Sequence, residues 1–242
     1  MCILAMCSRV NLRGDVVRSS INIYNSGCML AMKDMPDNAY DLAIVDPPYG
    51  IGADKAQNQA AESRIKAQGK SKAGRGWKQY KDTEWDKDIP KKEYWNNLFR
   101  VSKNQIVCGG NYMTEHLKPS MGWIVWDKGQ RDFSLADGEL LWTSFDKALR
   151  IFTYSRAKAL HEKKDFGERH HPTQKPVALY KWLLQNYAKE GDKILDTHLG
   201  SGSIALACWD LCFDLTGYEI DREYYDNAIL RLDRHKSQGQ LF

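Results

Sequence analysis

The apolar run Leu42-Ala43-Ile44-Val45 stops abruptly at Asp46-Pro47-Pro48-Tyr49-Gly50, and this stretch limits what the chain can fold into more than any other. A short apolar run rich in β-branched residues reads as a buried strand. Two prolines end it, because proline donates nothing to a ladder and restricts the residue before it. Asp46 is therefore expected at the carboxyl end of a strand. In an open α/β sheet that is where ligands bind, so a carboxylate, a stiff turn and an aromatic ring are offered together. The carboxylate and the Pro47 carbonyl make a pair of acceptors with no donor beside them. Such a pair suits an amino group. On a nucleobase, two acceptors on the amino hydrogens hold the nitrogen pyramidal and more nucleophilic, while Tyr49 can stack on the ring. The alternative use of the same residues is a plain Pro-Pro turn with Asp46 capping backbone.

An α/β rhythm surrounds this stretch. Residues 1–20 carry little periodic signal and read as an extension. Strands are expected at residues 21–24, 105–108 and 123–126, and helices at 28–32 and 90–101, the latter with Pro90 near its start. Residues 140–145 and 148–154, joined by Asp146-Lys147, read as a hairpin. Pro176 then opens a helix over 177–184.

The composition, 43% hydrophobic and 27% charged over 242 residues, fits one folded domain spanning 1–242 and excludes a wholly disordered chain. A net charge of +4 is small, so nucleic-acid binding has to rest on local charge. Two segments supply it. Between Lys55 and Lys81 eight lysines and arginines stand against Glu62 alone. That basic loop, set within residues 51–89, is expected to be mobile and to close over phosphates through Lys66, Lys70, Lys72, Arg75 and Lys78. Residues 155–170 hold Lys163, Lys164 and Arg169. The six cysteines are scattered without a C-x-x-C pair, which predicts reduced thiols, and the histidines lack a metal-ligand spacing. No metal, signal peptide or membrane span is expected, and the predicted setting is cytoplasmic.

A second site is signalled by Lys193-Ile194-Leu195-Asp196, a glycine-rich turn through Gly200-Ser201-Gly202-Ser203, and a helix to Cys212. Strand, glycine turn and helix amino terminus together bring backbone close to a nucleotide-like ligand. The next strand ends at Glu219, whose carboxylate can take two ribose hydroxyls, and Asp221 caps the last helix. A phosphate loop is disfavoured: no Lys-Ser/Thr follows the glycines, and Asp196 and Glu219 would repel phosphate. A cationic, phosphate-free ligand is favoured.

Asp46-Pro47-Pro48-Tyr49 resembles the catalytic motif of the amino-methyltransferases acting on adenine N6 or cytosine N4 in nucleic acid, in which the Asp form is usually associated with adenine. Asp196-Thr197-His198-Leu199-Gly200-Ser201-Gly202-Ser203 resembles the family's donor motif Asp-Pro-Phe-x-Gly-Ser-Gly-Thr, with Thr197 and His198 in place of Pro and Phe. His171-Pro172-Thr173-Gln174-Lys175-Pro176 is similar to the element flanking the methionine end of the donor. Trp126-Asp127-Lys128 and the acids Asp137 and Glu139 resemble positions around the base pocket.

The order, catalytic element before donor element, resembles the circularly permuted β group. The resemblance implies a Rossmann-like methyltransferase fold, a mixed and mostly parallel sheet with a β-hairpin toward its C-terminal side. It implies S-adenosylmethionine as cofactor, held by Asp196, His198, Gly200, Ser201, Gly202, Ser203, Glu219, Asp221, His171, Thr173, Gln174 and Lys175. It further implies base flipping onto Asp46, Pro47, Pro48 and Tyr49, and a short target-recognition segment at 155–170. The expected partner is DNA, with a homodimer allowed and a bacterial or phage origin. Adenine N6 is the expected target. Cytosine N4, an RNA substrate and a vestigial nucleic-acid-binding site stay open as alternatives.

Overall fold

The computed structural model describes residues 2–10, 16–52, 86–131, 136–155 and 174–239, with side chains from Ser19 to Ser237 within these. Among them are nine strands, β1 (Cys2–Val10), β2 (Val16–Asn25), β3 (Tyr40–Val45), β4 (Ser102–Cys108), β5 (Ile124–Asp127), β6 (Gly138–Thr143), β7 (Arg150–Thr153), β8 (Lys193–Asp196) and β9 (Asp214–Glu219). Five helices accompany them: α1 (Cys28–Asp34), α2 (Lys92–Val101), α3 (Val177–Tyr187), α4 (Ser203–Leu211) and α5 (Arg222–Gly239).

All nine strands form one sheet in the order β1-β2-β9-β8-β3-β4-β6-β5-β7. From β2 to β4 neighbours run parallel. Along β3, Leu42 and Ile44 belong to one buried cluster and Ala43 and Val45 to the other. Both faces are thus covered, which is why β3 reads as a continuous apolar run rather than an alternating one. On α2, Tyr94, Trp95, Leu98 and Val101 are buried, the spacing of one helical face.

Three expectations change. Residues 140–154 do not pair as a hairpin. β6 pairs antiparallel with β4 on one side and β5 on the other, and β7 lies parallel to β5 at the sheet edge. The hairpin is β5–β6. A two-residue Asp146-Lys147 loop would need left-handed backbone, and neither residue adopts it. The segment read as an extension forms β1, antiparallel to β2 from Cys2↔Tyr24 to Val10↔Val16. Backbone pairing onto an open strand edge needs no strong apolar period. Finally, Cys28, Cys108 and Cys208 are free and buried, but Cys212 is disulfide-bonded, where α4 packs against β1 and β2. Among the described residues no helix is long and apolar enough to cross a membrane.

Candidate active site

Chain direction reverses its spread at β3 and β8: β8 leads outward to β9, and β3 leads the other way to β4. Such a switch point leaves a crevice beyond the strand ends. Because β3, β8 and β9 are parallel neighbours, Asp46, the turn after Asp196 and Glu219 all open on that edge. A cavity of about 490 Å³ lies there, a size ordinary for a small-molecule site. Asp46, Pro47, Pro48 and Tyr49 line one part, with Gln174, Lys175 and Tyr180 beside them. His198 to Ser201 and Glu219 to Asp221 line another, with Tyr224.

The glycine turn is built from behind by residues that do not line the cavity. Asp196 is 1% exposed and accepts the His198 N–H at 3.0 Å. Gly202 caps α4 with φ of 71°, and an added Cβ would stand 2.9 Å from that of Ala228. Ser203 Oγ donates to the Lys175 carbonyl at 2.7 Å and accepts from Arg231 at 2.9 Å. Asp196, Gly202 and Ser203 therefore shape the turn. Thr197 and His198 are accommodated by α2: Thr197 Oγ1 lies 2.7 Å from Tyr94 Oη and 2.9 Å from His198 Nδ1. The His198 ring meets Tyr94 edge-on, and burial lowers its pKa to about 4, so it is neutral and packs as an aromatic ring.

Glu219 accepts the N–H groups of Gly200 and Asp221, each at 2.8 Å. Asp221 Oδ1 caps α5 through Glu223 N at 2.8 Å and Tyr224 N at 3.0 Å, as expected of it. Next to them Ile220 is 77% exposed, an apolar side chain at the cavity rim.

Burial pushes the Asp196 carboxyl from 3.8 up to about 8, with Asp46 and Glu219 adding to the rise and the His198 N–H opposing it. An acid whose folded pKa is raised contributes stability present below its unfolded value and lost as pH rises through the folded one. Four units at 1.36 kcal/mol each amount to on the order of 5 kcal/mol. The donor-free protein is thus expected to lose stability between about pH 4 and 8, and Asp196→Asn to flatten that slope in denaturant melts.

At the Pro-Pro turn, Lys175, expected among the donor-binding residues, meets Asp46. Its Nζ lies 2.5 Å from Asp46 Oδ2 and 3.0 Å from Tyr49 Oη, while Tyr49 Oη donates to Asp46 Oδ1 at 2.8 Å. Burial opposes this charge, but the carboxylates of Asp46 and Glu139 raise its pKa well above the usual lysine value. Burial likewise opposes the charge of Glu139, and Lys175 with Lys128 overrides it, holding the carboxyl below its usual value. Burial, reinforced by Asp46 and Glu139, keeps Tyr49 a neutral phenol.

Two supports of this turn left no signal in the sequence. Asp86, 1% exposed, accepts the N–H groups of Tyr49 at 2.6 Å and Gly50 at 3.0 Å. Beneath the ring, Gly109 has a φ of 65°, and a Cβ there would meet Tyr49 Cε1 at 2.3 Å. The ring also stacks on Tyr112, with centroids 5.1 Å apart. Gly109→Ala is expected to shift the ring and slow turnover by about 10²-fold, the scale of a 1 Å misplacement; a rate within threefold of wild type would show that ring position is immaterial.

Ile220, Tyr180 and Tyr224 were also missed. An apolar residue directly after Glu219 was a readable signal for a ring contact; the two tyrosines had none beyond helical spacing. His171, Thr173, Lys66, Lys70, Lys72, Arg75, Lys78, Lys163, Lys164 and Arg169 lie outside the described residues, as do most of the expected basic loop and target-recognition segment. No group of three or more potential metal ligands occurs among the described residues.

Residues 123–230 match the family model described as DNA methylase, of the N6/N4 type. The Type II methyltransferase M.HpaI of Haemophilus parainfluenzae is 26% identical, over 86% of this chain and 73% of its own length. M1.HpyAVI in complex with SAM superposes with a TM-score of 0.51 at 20% identity, covering 87% of this chain and 98% of that one. The cytosine-N4-specific PvuII DNA methyltransferase gives 0.54 at 12% identity, over 89% of each. The two structural likenesses speak to the fold. The sequence matches, with Asp46 and the glycine turn meeting at one sheet edge, make this chain similar to the S-adenosylmethionine-dependent DNA methyltransferases of the N6/N4 type.

Proposed function

We propose that the protein methylates the N6 amino group of adenine in DNA, after the base leaves the duplex stack. The observation that carries this reading is the Asp46 carboxylate at the switch-point crevice, opening on the same cavity as the glycine turn and Glu219. The cavity suits S-adenosylmethionine. Among the described residues its lining holds carboxylates, and the lysine there is paired with Asp46. Glu219 would take the ribose hydroxyls, Ile220 would pack on the purine, and the turn from His198 to Ser201 would follow the chain of the molecule. When bound, the donor supplies a methyl group on a positively charged sulfur.

The protein's own work is orientation. Asp46 and the Pro47 carbonyl accept the two amino hydrogens, which turns the nitrogen lone pair toward the methyl carbon. Once the nitrogen carries the methyl group, one amino proton would pass to the Asp46 carboxylate and on to water. Acceptors aimed at a nitrogen gaining positive charge stabilise the transition state more than the ground state. Tyr49 would stack on the base. Asp at position 46 is the form associated with adenine.

Incubation of the purified chain with unmethylated DNA and labelled S-adenosylmethionine, followed by digestion and mass spectrometry of the nucleosides, is expected to yield N6-methyladenine. N4-methylcytosine would move the target to cytosine. No methylated base, with the donor bound, would end the reading as a DNA methyltransferase.

A further inference from the structure

Each oxygen of the Asp46 carboxylate already accepts one donor. Lys175 Nζ lies on Oδ2 at 2.5 Å and Tyr49 Oη on Oδ1 at 2.8 Å. An ammonium is a donor with no acceptor, and so is the target amino group toward this carboxylate. The two draw on the acceptor strength of the same carboxylate. Lys175 is 3% exposed along its side chain, so its charge cannot be released into water when a base arrives; a buried charge stripped of its partner costs several kcal/mol.

A second partner stands ready. Glu139 Oε2 is buried and makes no hydrogen bond, and Lys175 Nζ is 3.5 Å from it. The other oxygen of Glu139 is held by Lys128 Nζ at 2.7 Å, and Lys128 itself lies over the Trp126 ring. Glu139 sits opposite Trp126 in the β5–β6 ladder, so its position is set by the sheet. The Lys175 backbone is fixed too, through its carbonyl on Ser203 Oγ at 2.7 Å. Only the flexible stem of the lysine needs to move, by about 1 Å to bring Nζ to the distance of a charge-assisted hydrogen bond with Oε2 and by more to clear Asp46 Oδ2.

We propose that Lys175 holds the target-amino place on Asp46 in the free protein and passes to Glu139 when the base enters, so that Glu139 is a positioning residue for methyl transfer. The inference rests on the reading of Asp46 as acceptor of the target amino group. Its consequence is electrostatic as well as steric. With the ammonium on Glu139, the acceptor strength of Asp46 is directed at the nitrogen that gains charge during transfer.

The prediction is one of dependence: Glu139 acts only through Lys175. Single-turnover methyl transfer to unmethylated DNA would be measured for the wild type, Glu139→Gln, Lys175→Met and the double variant, with donor affinity by calorimetry and folding by thermal melt. Glu139→Gln is expected to slow transfer at least about tenfold with the donor dissociation constant within about twofold. In the Lys175→Met background the same substitution is expected to change the rate by less than about threefold, leaving the double variant faster than Glu139→Gln alone. Such non-additivity is the mark of direct coupling. Equal slowing in both backgrounds, or a Glu139→Gln variant at the wild-type rate, overturns the inference while leaving the methyltransferase reading intact. A wild-type chain that binds donor and methylates no DNA overturns the reading itself and the inference with it. Should Glu139→Gln not fold, Glu139→Asp carries the test: its shorter acceptor is expected to slow transfer with Lys175 present and not in the Lys175→Met background, and slowing in both overturns the inference.

Discussion

Replacing Asp46 by alanine is expected to abolish methyl transfer, by about 10³-fold or more, while S-adenosylmethionine binds within about threefold of its wild-type affinity. The division follows from where Asp46 stands. Its carboxylate closes the end of the cavity next to Lys175 and Tyr49, while Glu219 and the Gly200 turn form the part that would hold the ribose. Alanine also leaves Lys175 with Glu139 as its remaining carboxylate, and breaking a buried ion pair costs about 3–5 kcal/mol. Asp46→Asn separates chemistry from folding, since its carbonyl can still accept from Tyr49 or Lys175. It is expected to slow transfer by about 10²-fold, the scale set by losing one charged group aimed at a transition state. Methyl incorporation, calorimetry and thermal melts on both variants check this. An asparagine variant that no longer binds donor would make Asp46 part of the donor site instead.

Glu219→Ala is expected to raise the donor dissociation constant by about 10²-fold, through loss of two charge-assisted hydrogen bonds worth about 1.5–3 kcal/mol each, partly regained by water. Burial raises this carboxyl above its usual value, against the N–H groups of Asp221 and Gly200 that favour its charge. Each of its oxygens accepts one backbone N–H and keeps a lone pair for a hydroxyl. The residue therefore ties the glycine turn to the cap of α5 and offers two acceptors to a ribose. At saturating donor the turnover of Glu219→Ala is expected within a few-fold of wild type, because the contact serves ground and transition states alike. Equilibrium dialysis with labelled donor decides it, and an unchanged affinity would remove Glu219 from the site.

What the chain's residues determine by themselves is local. Pro47 and Pro48 stop β3 wherever it lies in a sheet, since the constraint is covalent, and they put Asp46 at its end. Glycines with φ of 53° and 71° at 200 and 202, a four-residue strand before them and an acid ending the next strand are likewise short-range choices, legible without a partner. The same holds for the periodic burial of α2. The tertiary structure decided which of these pieces meet. Asp46 and Asp196, 150 positions apart, end neighbouring strands because β3 and β8 pair in parallel, an outcome of packing on both faces of a sheet. Lys175 sits on Asp46 across 129 positions, and Asp86 holds the Tyr49 and Gly50 amides across 37 and 36. No local preference of lysine or aspartate foretells such pairs; they exist because burying either charge without the other, or two amides without an acceptor, costs more than the pairing. The hairpin shows the same limit from the other side. Residues 140–145 and 148–154 have the composition of neighbouring strands, but β6 already has β4 and β5 on its two edges, and the backbone of β7 finds its partner beyond them on β5.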